Sequence, residues 1–173
     1  MRIIEAMLQE LDQEARTTRR VLERVPQEHL SWKPHPKAMS LGQLATHVAI
    51  IPGGVAAGAA QPAIQRPMFQ HPTVSDVSQL MPLLDEGLAN ARTLLGDFSD
   101  KQMQATWRIM DGEQTVLAVP RMAFLRSVML NHWYHHRGQL SVYLRQLGVP
   151  LPSIYGPSAD ENPFVAPSAT ATA

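Results

Sequence analysis

The sequence predicts an all-α fold, a four-helix bundle with a small β-hairpin insertion. Three observations predict it. Four long segments carry apolar residues at three- and four-residue steps, the spacing that lines one face of a helix. Capping residues, proline and glycine bound those segments. One short stretch, TWRIMDGEQTVLAV, instead sets Asp111 and Gly112 between two semi-apolar runs, which is a hairpin signal.

The 173 residues suit one domain, and an apolar share of 45% is enough for a core. The first helix has its stripe from Ile4 through Leu8, Leu11, Ala15 and Thr18 to Val25, and Pro26 ends it. The link HLSWKPHPKAM follows. The second helix opens at Ser40 with Gln43 three residues on, a capping-box pattern. Leu44, His47, Val48 and Ile51 follow on one side, and Pro52, Gly53 and Gly54 either kink the helix or end it. Residues 61–73 contain three prolines and read as a loop. The third helix is expected from near Ser75, with its buried stripe running from Val77 to Leu95, and Ser99 to Gln102 caps one extra turn. Pro120 suits the first position of the fourth helix, which runs to about Leu147 and is stopped by Gly148 and Pro150. The bundle domain is therefore expected over residues 1–161, and residues 162–173 as a disordered tail.

Composition removes several function classes. Fifteen basic and fifteen acidic residues leave no net charge, so the electrostatic footprint of a nucleic-acid binder is missing. The absence of cysteine excludes disulfides, cysteine-bound zinc and a cysteine nucleophile. Thiol chemistry would need a thiol brought in by a small molecule. The charged N-terminus MRIIEAMLQELDQEARTTRR does not read as a signal peptide, and no run approaches the roughly 18 apolar residues of a membrane span. The expectation is a cytoplasmic protein with a small-molecule substrate and no membrane partner. Trp32, Trp107 and Trp133 read as core or rim packing, and the nine methionines as gap-fillers.

Histidine placement carries the chemistry. Three of the seven histidines fall in NHWYHHRGQL. His132 and His136 are four apart, on one helix face. A heptad seam drawn through Met122, Leu125, Met129, His132, His136, Gln139, Tyr143 and Gln146 turns polar at His132, which aims both rings into the bundle. Lone polar groups are costly there, and a divalent metal resolves the cost. The HExxH glutamate is missing, so a third ligand has to come from another helix, and His47 is the candidate. His135 lies one step off the seam and reads as peripheral. His29, His35 and His71 read as surface residues. Gln139 either orients a bound water or substrate, or makes a buried hydrogen bond between helices. Arg137 reads as off the seam, at a dimer contact or near the pocket mouth. Glu10 or Glu14 in the first helix is placed to reach inward as a fourth ligand.

The segments LSWKPHPKAMSLGQLATHVA, HWYHHRGQLSVYLRQLGVP and PSIYGPSADE together resemble the DinB/YfiT-like superfamily of bundle metalloproteins. The resemblance runs from the first helix to about Glu161. It implies an up-down-down-up helix order, and a metal triad of one histidine from the second helix and an H-x3-H pair from the last. These fall on His47, His132 and His136. It also implies a homodimer, with zinc or nickel as the metal. Characterised relatives imply a thiol-dependent S-transferase or isomerase using a low-molecular-weight thiol. The alternatives are a metal-dependent hydrolase, or a non-catalytic bundle stapled by its metal.

Overall fold

The computed structural model describes residues 1–66 and 71–165. Helix α1 (Ile3–Leu22) starts where the Glu5 carboxylate turns back to accept from the Arg2 backbone N–H at 2.8 Å. A single 3₁₀ turn, Gln27–His29, leads towards helix α2 (Leu41–Ala60). Its start is a complete capping box. Ser40 Oγ accepts from the Gln43 N–H at 3.1 Å, and Gln43 Oε1 accepts from the Ser40 N–H at 2.9 Å.

Helix α2 does not end at Pro52-Gly53-Gly54 but runs through all three. Packing explains this. Eleven of its residues, Pro52 among them, are buried by the other elements, and that burial outweighs the weak local propensity. Among the described residues α2 is also the one helix long and apolar enough to cross a membrane by composition alone. Gln43, Thr46 and His47 interrupt its apolar residues, so it is no unbroken apolar run, as the sequence reading has it. More than half of its apolar window is buried in the bundle.

Residues 61–73 are not all loop. Strand β1 (Ala63–Gln65) lies parallel to strand β2 (Thr106–Asp111), with Ala63 opposite Arg108. Strand β3 (Gln114–Pro120) pairs antiparallel with β2, so the sheet has three strands in the order β1-β2-β3. Three residues are too few to show a two-residue period, which is why β1 has no sequence signature. Helix α3 (Leu80–Leu95) follows a 3₁₀ turn capped by Asp76, and helix α4 (Asp100–Gln104) is capped by Ser99.

The last helical run has three parts: α5 (Arg121–Phe124), a π-helical stretch (Leu125–Asn131) and α6 (His132–Gln146). Pro120 ends β3 and is at the same time the N-cap of α5, one position before the first helical residue. The neighbouring Arg121 is buried and uses its guanidinium on carbonyls at the end of α2, donating from Nε to Ala59 at 2.8 Å. Those carbonyls have no partner within their own helix. Trp107 stacks on Phe124, with centroids 3.7 Å apart, and locks the sheet against this run.

The π stretch also corrects the heptad seam. Met122 and Gln146 are exposed, and the deepest stripe of α6 is Trp133, Arg137, Leu140 and Leu144. A π turn carries one residue more than an α turn, so a strict seven-residue repeat drawn across residues 125–131 loses its phase. Beyond Gly148, at φ 72°, the chain returns along α1, where Glu161 pairs with Arg20 and Asp160 with Arg145. Of the expected tail, residues 166–173 lie outside the described residues.

Helices α2 and α3 meet backbone to backbone. A Cβ on Gly53 would stand 2.7 Å from the Gly87 Cα, whereas one on Gly54 would meet nothing within 4 Å. Gly53→Ala should therefore destabilise the fold by about 1–3 kcal/mol through overpacking. Gly54→Ala should stabilise it by about 0.5–1 kcal/mol through helix propensity. Paired thermal melts check both; equal effects would show that the α2–α3 contact is looser than described.

Candidate metal centre

Helix α2 places His47 one turn after Gln43, and the first turn of α6 carries His132 and His136. The rings converge. Centroid distances are 5.3 Å for His47–His132, 4.6 Å for His47–His136 and 4.5 Å for His132–His136. One ring nitrogen from each lies within 4.8 Å of the others, and all three residues are half-buried. Among the described residues this is the one cluster of three or more histidines or carboxylates close enough to share an ion.

The hydrogen bonds fix how the rings point. His136 Nδ1 lies 2.9 Å from Gln139 Oε1, and Gln139 Nε2 donates to the Tyr143 hydroxyl at 3.4 Å. An amide oxygen only accepts, so His136 carries its proton on Nδ1 and keeps a lone pair on Nε2. That Nε2 sits 2.8 Å from His132 Nε2. On His132 the other nitrogen, Nδ1, is buried and makes no hydrogen bond of full geometry. The π stretch shapes its surroundings. The His132 backbone N–H reaches five residues back, to the Ser127 carbonyl. The Val128 carbonyl, its ordinary α-helical acceptor, instead lies beside the His132 ring and favours its charged form.

Burial dominates the electrostatics. It lowers the pKa of all three rings from the usual 6.5, and takes His47 to about 4, with His136, His132 and His71 adding repulsion. At neutral pH the three rings are therefore uncharged, the state a metal ligand requires.

Several sequence expectations change. Glu10 does not turn to the histidines, because its carboxylate holds Arg126 and accepts from the Tyr134 hydroxyl at 2.9 Å. Glu14 is likewise engaged, 2.7 Å from Arg137 NH2 and accepting from the Tyr155 hydroxyl at 3.0 Å. Arg137 is neither at the surface nor at a pocket mouth. It is 1% exposed, and NH1 also donates to Thr18 Oγ1 and to the Glu14 carbonyl, both at 3.2 Å. Its charge suggested a solvated position, but its spacing from Trp133 and Leu140 marked the buried stripe. His71 and His135 are exposed as expected, yet they rim the cluster. The His71 ring is 6.3 Å from His47, and the His135 ring is 4.9 Å from His136. A surface groove of about 490 Å³ runs along the start of α2, lined in part by Glu28, Lys33, Gln43 and Thr73. Gln43 places its wall one turn from His47.

The pattern of the DinB family matches residues 2–164. The uncharacterized protein YrdA of Bacillus subtilis (strain 168) is 27% identical over 150 residues, covering 86% of this chain and 85% of its own. A DinB-like protein from Bacillus cereus ATCC 10987 superposes with a TM-score of 0.69 at 23% identity, over 88% of this chain and 97% of that one. YfiT from Bacillus subtilis, described as "a probable metal-dependent hydrolase with an unusual four-helix bundle topology", gives a TM-score of 0.61 at 15% identity. That match covers 83% of this chain and 87% of YfiT.

The lowered histidine pKa values have a stability consequence with a definite sign. In the unfolded chain these rings take protons near pH 6.5, and in the fold only lower, near 4 for His47. The fold thus has its full stability above about pH 6.5 and loses it as pH falls towards the folded values. Metal-free protein should melt at progressively lower temperature between pH 6.5 and 5, above the range in which its paired carboxylates titrate. His47→Gln should flatten that slope in calorimetry; an unchanged slope would remove His47 as its source.

Proposed function

The chain belongs to the DinB family, and from that premise we propose that it is a metal-dependent enzyme whose divalent ion is held by His47, His132 and His136. One observation carries the reading. Three uncharged imidazoles converge from two helices, and the nearby helix α1 carboxylates are committed to other partners. Three protein ligands without a fourth are the donor set of a catalytic rather than a structural zinc site. The two Nε2 atoms that face each other, on His132 beside the Val128 carbonyl and on His136 with its Nδ1 proton held by Gln139, both fit a ligand role.

The chemistry a bound ion supplies is a lowered pKa for a water or thiol at the open position, making it a nucleophile near neutral pH. The chain's own residues divide the remaining work. Gln139 sets the tautomer of His136, and Tyr143 steadies Gln139. His71 and His135 stand exposed at the rim of the cluster. The groove beside Gln43 offers one acidic and one basic group, Glu28 and Lys33, to a small polar molecule.

Hydrolysis is the reading that the likeness to YfiT supports. Transfer or isomerisation with a low-molecular-weight thiol is the second reading, implied by the family resemblance and compatible with the absence of cysteine, since any thiolate would come from outside. Zinc and nickel both suit a three-histidine donor set.

Three measurements test this. Protein purified without chelator should carry close to one divalent ion per chain by elemental analysis. Chelation should lower its melting temperature, and His136→Ala should abolish that shift. A panel of esters, amides and alkyl electrophiles should then be turned over only by the metal-loaded protein. Turnover without added thiol supports hydrolysis, and turnover only with thiol supports transfer. Full activity in chelated protein would overturn both.

A further inference from the structure

Helix α2 contains a carbonyl that a regular helix would not offer. Val48 lies four residues before Pro52, so the N–H that would donate to its carbonyl in the helical ladder does not exist. The proline ring also crowds that same carbonyl and tilts it out of the ladder. Val48 is 0% exposed, and a carbonyl left unpaired at such depth is costly. The partner comes from the other helix. The Trp133 indole Nε1–H donates to the Val48 carbonyl at 2.8 Å, and Trp133 is itself 0% exposed. Each of the two residues directly follows a histidine of the cluster, Val48 after His47 and Trp133 after His132. This buried hydrogen bond is therefore a rung between α2 and α6 at the level of the site.

We propose that Pro52 and Trp133 act together as positioning residues for the metal centre, the proline freeing the Val48 carbonyl and the indole using it to fix the gap between His47 and the H-x3-H pair. The inference rests on the metal reading above for its consequence, but the hydrogen-bond exchange does not depend on it. Neither residue touches the cluster. A site built from two helices needs their separation held to a fraction of an ångström, and apolar packing alone sets distance less sharply than a directed bond. The indole resembles the Trp107 Nε1–H that donates to Gly58 near the end of α2 at 3.2 Å. The Gly58 carbonyl also accepts the Gln61 backbone N–H at 3.2 Å, so there the indole is a second donor, whereas at Val48, in mid-helix, it replaces the donor that the proline removes.

The test uses cobalt(II) titrations of metal-free full-length protein, read by absorption, alongside thermal melts. Trp133→Phe keeps the ring in place and removes the donor. It should remain folded by near-ultraviolet circular dichroism, melt lower, and bind cobalt about tenfold or more weakly. Adding Pro52→Ala to that variant restores an N–H at position 52. It should raise the melting temperature of Trp133→Phe by more than it raises that of wild type, while cobalt affinity stays weak. Pro52→Ala alone removes only two ring carbons from the core, and it should shift one indole N–H resonance and weaken cobalt binding. Leu144→Ala, lower on the same stripe, should lose stability yet keep wild-type cobalt affinity. The proposal is overturned if Trp133→Phe binds cobalt like wild type, if Leu144→Ala weakens binding as much, or if Pro52→Ala gives no extra rescue. Absence of cobalt binding in wild type, with the rescue intact, would instead sink the metal reading and leave the proline–indole exchange standing.

Discussion

The rotation of α6 about its own axis decides whether the site exists, and a buried charge sets that rotation. Arg137 is almost completely enclosed, and its guanidinium is satisfied by α1 through Glu14 and Thr18 and by the returning chain through the Tyr155 hydroxyl. Such a pair does not stabilise a fold by much against a well-packed apolar substitute, but a half-broken one is very costly. It therefore penalises any other rotation. With Arg137 facing α1, its predecessor His136 is turned about 100° round the helix, towards α2 and His47. Tyr134 and Tyr155 lie against the same guanidinium, each ring about 5 Å from its central carbon, which reinforces the orientation.

The remaining contacts follow from that placement. Trp133 faces the flank of α2, and the two histidines one turn apart flank the core stripe rather than occupying it. Half-burial is a useful compromise for a ligand set. It strips enough water to keep the rings neutral, and it leaves one side approachable by a small molecule. The rim histidines His71 and His135 owe their nearness to the same geometry, since each is tied to a triad member by a short stretch of backbone or by ring contact.

The triad was readable because helical spacing is rigid. Residues four apart on one helix share a face whatever the tertiary structure, and Ser40 with Gln43 marked the start of the helix that carries His47. Arg137 was misplaced because its type argued for solvent while only its spacing argued for the core. The partner that makes its burial tolerable, Glu14, lies 123 residues earlier, beyond any local pattern. Strand β1 was missed because three residues carry no period, and its existence depends on β2 lying alongside. The continuity of α2 through Pro52 was ambiguous for a related reason: a proline's cost depends on whether some distant group takes the carbonyl it frees.

The π-helical stretch before His132 has a consequence for how this chain tolerates change in length. A π turn holds one residue beyond the α-helical count, and nothing in its composition, LRSVMLN, marks which residue is the surplus. Loss of a single residue anywhere in it would let the ladder close as an ordinary α-helix. A π turn advances less round the axis per residue than an α turn, so the two ends would keep nearly the same relative rotation. Arg121 and Phe124, held by the sheet and the end of α2, would stay in phase with Trp133 and Arg137. A relative aligned to this chain with a one-residue gap between positions 125 and 131 can therefore keep both anchorages of the last helix. What it would lose is the local exception before His132, whose backbone N–H would return to a carbonyl four residues back.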